Sequence, residues 1–157
     1  MNIRIRAAVS AAASSIALVA FAAPAQANLL SVLPGSCGSQ QESQVFSPWG
    51  DGSNYFLLTG GSFEGAQSWV LTGGAARVSG NESFHVRSSS DQYSLALPSG
   101  SQATSPAVCT SIYDPTLRFF ARNTGSSSSR LKVEALYPGL LGAVHGATIG
   151  YVSGSSA

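Results

Sequence analysis

Charge is scarce in this chain: only 10% of its residues are Asp, Glu, Lys or Arg, and the formal net charge at pH 7 is +1. So even a balance gives no long-range pull toward nucleic acid or an anionic membrane, and it argues against both partners. Cysteine is limited to Cys37 and Cys109, without the close pair and neighbouring histidines that zinc motifs need. Histidine is limited to His85 and His145, and no Gly-x-Ser-x-Gly elbow occurs. No long amphipathic helical pattern follows the first 27 residues. Gly, Ser, Thr and Ala instead fill the spaces between short apolar runs, leaving solubility to hydroxyls and exposed backbone.

The first 27 residues have a different character. Arg4 and Arg6 form a positive leader, Ala7 to Ala23 is an uncharged Ala-rich run, and Ala25-Gln26-Ala27 is a small-x-small cleavage site. This pattern predicts a secretory signal peptide over 1–27 and a mature chain beginning at Asn28. A membrane anchor is the rival reading, but a run of about 17 small and apolar residues stopped by Pro24 is short of the roughly 20 needed to span a bilayer. Cleavage would leave no membrane span. With Arg4 and Arg6 gone, basic side chains fall one short of the seven acidic ones.

An exported chain meets oxidising conditions, so one Cys37–Cys109 disulfide is the economical expectation. It predicts three parts: the signal peptide, a disulfide-pinned segment over 28–43, and a β-domain over 44–157. Asn28 to Leu33 is a short apolar start stopped by Pro34-Gly35.

Beyond it, β-type segments alternate with turn residues, as in an all-β sandwich. Strands are expected near Tyr55–Leu58, Ser68–Thr72, Ala75–Ser79, Phe84–Arg87, Gln92–Leu97, Ala107–Ile112, Leu117–Arg122, Arg130–Tyr137 and Thr148–Val152. Gly60-Gly61, Gly73-Gly74, Pro98-Ser99-Gly100 and Asn123–Ser129 are read as turns. Leu117, Phe119 and Ala121 alternate with Arg118, Phe120 and Arg122, while Leu131, Val133, Ala135 and Tyr137 alternate with Lys132, Glu134 and Leu136. These two strands read as an antiparallel hairpin with one face in the core.

Its outward set supplies the candidate ligand face: Arg118, Phe120, Arg122 and Lys132, beside Glu134 and Leu136. An exposed ring next to hydrogen-bonding charges can stack on sugars or bases. The competing reading is solvated charge, with Glu134 paired to an arginine across the strands. No catalytic residues are assigned, because the serines, histidines and aspartates show no spacing that sets a nucleophile beside a base. Nor does the sequence set the separation of two carboxylates for glycoside cleavage. Asp51-Gly52-Ser53-Asn54 can be read as calcium ligands or as an Asx turn. Asn81-Glu82-Ser83 fits a glycosylation sequon or a plain surface loop.

The run Gly60-Gly61-Ser62-Phe63-Glu64-Gly65, then Trp69 and Gly73-Gly74-Ala75, resembles the opening of galactose-binding-like jelly-roll domains and carbohydrate-binding modules. The order from Cys37 through Phe63-Glu64, Trp69, Ser94 to Ser101, Cys109, Arg118 to Ala121 and Leu131 to Glu134 is similar to that of uncharacterised secreted actinobacterial proteins. The resemblance spans about Cys37 to Tyr137. It implies an antiparallel jelly-roll β-sandwich, with Phe63 in the core, Trp69 over the core's edge and Glu64 near a structural calcium. Gly60 stands where the family has Asn, and the closing segment with Trp and paired Asp residues is missing. A last strand and Glu64's acidic partner are therefore missing too, and no cofactor is assigned beyond that calcium. Trp69 shares a strand face with Leu71, which favours a core role over a sugar platform.

These readings converge on a secreted, non-enzymatic binding or surface-interaction module, with an extracellular glycan or cell-surface component as its partner. A structural extracellular sandwich without a small ligand is the alternative, and a hydrolase is third. A sheet without its closing strand would also self-associate through the open edge.

Overall fold

The computed structural model describes residues 2–8, 37–66, 68–111 and 113–154. The proposed cleavage site, the apolar run of the leader beyond Ala8, and Asn28 to Gly35 lie outside the described residues. The described fold is all-β, with nine strands in antiparallel sheets and two short 3-10 turns.

The strands, in chain order, are β1 Asn2–Ala8, β2 Glu42–Ser43, β3 Tyr55–Phe56, β4 Val70–Thr72, β5 Ala76–Ser79, β6 Tyr93–Ala96, β7 Gln102–Thr104, β8 Arg130–Pro138 and β9 Val144–Ser153. The main sheet runs β4-β7-β1-β8-β9, and β2-β3 and β5-β6 form two-stranded ribbons. Register explains the burial. Leu71 lies opposite Ala103, Ala103 opposite Ile5, and Ile5 opposite Val133. Ile3 lies opposite Ala135. Residues directly across a ladder share a face, so this apolar row forms one continuous side of the sheet. Ile3, Ala103, Val133 and Ala135 are buried in it. The reverse side carries Thr104, Arg4, Glu134 and Thr148 in register.

Several turns form where Gly and Asn fall. Ser101 N–H donates to Pro98 O at 3.0 Å, with Gly100 at φ +76°. Gly73 holds φ +63°, and a Cβ there would lie 2.9 Å from Gly100 O. A side chain cannot enter that approach without moving the backbone.

The structure adds β1, β2 and β7 where no strand was expected, and departs from the expected strands in four further places. Phe84–Arg87 is a sequence of turns and bends, and the described part of Ala107–Ile112 and all of Leu117–Arg122 lie outside any ladder. The 117–122 and 130–137 segments are therefore not a hairpin; β8 pairs with β1 and β9 instead. Glu134 and Leu136, expected to point outward, are buried at 8% and 6% exposure. β8 is buried on both faces from Val133 to Leu136, whereas the alternation reading assumes one solvent face, which is why it misassigned them. Finally, the last strand begins at Val144 rather than near Thr148 and pairs with the C-terminal end of β8.

A bridge between Cys37 and Cys109 is present, with Cα atoms 5.5 Å apart. No described helix is long and apolar enough to cross a membrane.

Candidate functional site

Three separate segments converge on one exposed aromatic platform. The first is the 3-10 turn Ser47–Trp49, which carries Pro48 at its second position and stops at Gly50, whose φ of +79° and N–H bond to Ser47 O end it. Proline fits the first helical turn, where no N–H partner is needed, and glycine fits the left-handed cap. The result holds Trp49 at the surface.

The second is the turn after Glu82. Its carboxylate accepts the backbone N–H groups of Phe84, of His85 at 2.8 Å and of Val86 at 2.9 Å. Three amides satisfied by one side chain have no need of a strand partner, which accounts for the missing strand at Phe84–Arg87. This turn presents Phe84 beside Trp49, ring centroids 5.6 Å apart and nearly perpendicular. The third is the extended stretch carrying Arg118 and Phe120. Phe120 lies 5.2 Å from Phe84 and 5.6 Å from Trp49. Phe46, itself packed 5.1 Å from Tyr55, supports the platform from beneath Phe120 at 6.1 Å.

These rings are far from buried: Trp49 is 39% exposed, Phe120 40% and Phe84 56%. Single apolar side chains on a surface are ordinary, but three in mutual contact form a patch with recognition potential.

A polar edge borders it. Arg118 Nε donates to Asp51 Oδ2 at 2.8 Å, and Tyr55 OH donates to the same oxygen at 2.7 Å. Asp51 Oδ1 accepts Ser53 N–H at 3.0 Å, which makes Asp51-Gly52-Ser53 the Asx turn and commits this carboxylate to local bonds. The Tyr55 hydroxyl, the Ser53 amide and, to a smaller degree, Arg118 lower the Asp51 pKa from 3.8 to about 2. The same bond to Asp51 raises the Tyr55 pKa. A carboxyl whose folded pKa is depressed stabilises the fold above its unfolded pKa and ceases to do so as pH falls through the folded value. The Arg118–Asp51–Tyr55 edge is therefore expected to stay assembled at pH 4 and to open as Asp51 protonates near pH 2, its contribution to stability fading between about pH 3.8 and 2. Following the Asp51 carboxyl by NMR checks this; a midpoint near 3.8 would mean that these bonds are not formed in solution.

The other residues expected at the ligand face are elsewhere. Lys132 sits on β8 and binds Glu134 Oε1 at 2.7 Å, on the sheet side opposite Val133. Leu117 and Phe119 lie on the Val133 side, lining a shallow cavity of about 170 Å³ with Ile149. Arg122 is exposed and contributes nothing to the platform. So the structure joins Arg118 and Phe120, leaves out Arg122 and Lys132, and adds Trp49 and Phe84. Proline before Trp49 and glycine after it were a readable signal for a displayed ring; nothing local to Phe84 told of its neighbours.

Glu64 is occupied in the fold. Its Oε1 accepts the N–H groups of Gln92 and Tyr93, both at 2.8 Å, so it caps the entry to β6. Arg77 donates to the carbonyl oxygens of Phe63 and Glu64 and stacks 3.3 Å from the centre of the Tyr93 ring. No group of three metal-ligating side chains occurs among the described residues. Trp69 is 8% exposed, 5.3 Å from the Phe63 ring, and donates through Nε1 to Thr59 O at 2.9 Å. It is a core residue.

A second cleft, of about 370 Å³, adjoins Cys109 and is lined by Gln40, Phe56, Leu57, Arg87 and Val108 among others. Gln40 Nε2 donates to Cys109 O at 2.7 Å there, tying the start of the domain to the bridge. Comparison of the chain with protein-family models, curated proteins and solved structures returns no match.

Proposed function

We propose that this protein is a secreted, non-catalytic binding module that takes extracellular carbohydrate, free or on a cell surface, on the Trp49–Phe84–Phe120 platform. One observation carries this reading: three touching rings remain 39% to 56% exposed beside a half-exposed arginine. Aromatic faces pack against the apolar faces of sugar rings, while guanidinium donors at the edge serve hydroxyls. The Cys37–Cys109 bridge fits an oxidising compartment, which supports export. The jelly-roll form of the sandwich belongs to the same proposal and rests on the resemblance around Phe63, Glu64 and Trp69.

A glycan array followed by calorimetry on any hit tests the function. Binding without turnover of the bound glycan is the expected result. Release of hydrolysis products would instead favour a hydrolase, a reading with little support. His145 is stacked on Tyr137, and His85 belongs to the turn that Glu82 caps.

The structural alternative draws on a different observation. β9 is an edge strand of ten residues with Val144, Ile149, Tyr151 and Val152 exposed, and the hairpin tip before it displays Leu140 and Leu141 fully. Such an edge is a template for pairing with another copy. Light scattering that shows association in the absence of any glycan favours this alternative.

A further inference from the structure

The main sheet contains a place that the exported chain, on the signal-peptide reading, would not fill for itself. β1 consists of leader residues, yet it is the middle strand of five. It pairs with β8 along its whole length and with β7 from Arg4 to Arg6. Ser105 extends the second ladder, donating its N–H to Ile3 O at 3.0 Å and accepting Ile3 N–H on its Oγ at 3.0 Å. Ile5 completes the apolar row between Ala103 and Val133. Arg4 stands in register between Thr104 and the buried Glu134.

We propose that the groove between β7 and β8 is a strand-acceptor site. Asn2–Ala8 fills it here; after leader removal it takes an extended segment of another polypeptide. The groove itself specifies that segment. Unpaired main-chain groups on both walls select an extended backbone, as in strand addition to a sheet. The Ala103–Val133 row selects apolar side chains at alternate positions, and the position between them stands across from Glu134, whose carboxylate, already bound by Lys132, disfavours an acidic side chain there. The proposal rests on removal of residues 1–27 and uses no residue of the aromatic platform.

The test begins with the full chain carrying a protease site between Ala27 and Asn28. After cleavage, native mass spectrometry should find the leader fragment still bound, and labelled synthetic peptide of residues 2–8 should displace it. The peptide carrying Ile3→Asp and Ile5→Asp should bind at least about tenfold more weakly, equivalent to about 1.4 kcal/mol or more. An Arg4→Glu peptide should also weaken, and less so against Glu134→Gln protein. If the cleaved protein loses its fragment and unfolds, added peptide should restore the melting transition. Failure to restore it overturns the proposal. So does a cleaved protein that sheds the fragment, keeps its melting temperature and takes up no peptide. A dimer that forms after cleavage and resists the peptide overturns the choice of partner, because a second copy then fills the groove.

Discussion

Replacing Cys37 and Cys109 with serine should lower stability by about 2 to 5 kcal/mol. The bridge joins residues 72 apart in sequence, a loop for which the chain-entropy model gives about 4 kcal/mol, acting mainly by restricting the unfolded chain. The folded state contributes through Gln40, which binds Cys109 O and is held near it by the bridge. The core leaves little margin for such a loss: its buried apolar side chains are Ile3, Trp69, Ala103, Val133, Ala135 and Leu136 among the described residues, and two of these are alanines. Thermal unfolding of the double variant should fall by on the order of 10 °C. Thiol counting on the denatured, unreduced wild type should find no free thiol. An unchanged transition would mean that the bridge adds nothing to the fold.

Trp69→Ala should cost about 3 to 5 kcal/mol, the range for removing a buried aromatic side chain. Trp69 is the largest of the buried side chains, covers Phe63 and supplies a donor to Thr59 O. Its loss leaves a cavity and an unsatisfied carbonyl together. Gly60 also depends on this packing: it holds φ +68°, and a Cβ there would meet the Trp69 ring at 3.3 Å. The two tryptophans of the chain thus have different fates, since Trp49→Ala removes a side chain that is 39% exposed and should cost clearly less than Trp69→Ala. Urea unfolding of both variants separates the two roles; equal losses would contradict them.

What the sequence revealed depended on how local its cause was. Ala76–Ser79 and Tyr93–Ala96 were legible because alternation and neighbouring turn residues agreed, and the Asx turn at Asp51 was one of two readings of the same oxygen side chains, decided by the Ser53 N–H bond. Leu117 to Arg122 misled because alternation reports an extended chain, and an extended chain can lie across a sheet without joining its ladder. Ile3 and Ile5 alternate with Arg4 and Arg6, a strand signal overshadowed by reading the same arginines as a positive leader. The platform was half legible. Arg118 and Phe120 announced themselves as an outward pair, whereas Trp49 and Phe84 reach them only through turns fixed by Pro48, Gly50 and Glu82. Lys132 was misplaced with the false hairpin, since β8 turns that side chain to Glu134 on the other side of the sheet.

The platform can be tested by one comparison on one glycan array: wild type against the Trp49→Ala, Phe84→Ala double variant, with thermal unfolding of both. The expected result is glycan binding by the wild type and a loss of at least about tenfold in the variant, while its melting temperature changes by only a few degrees. Equal binding by the two proteins, or no binding by the wild type to any glycan, would contradict a carbohydrate-binding platform.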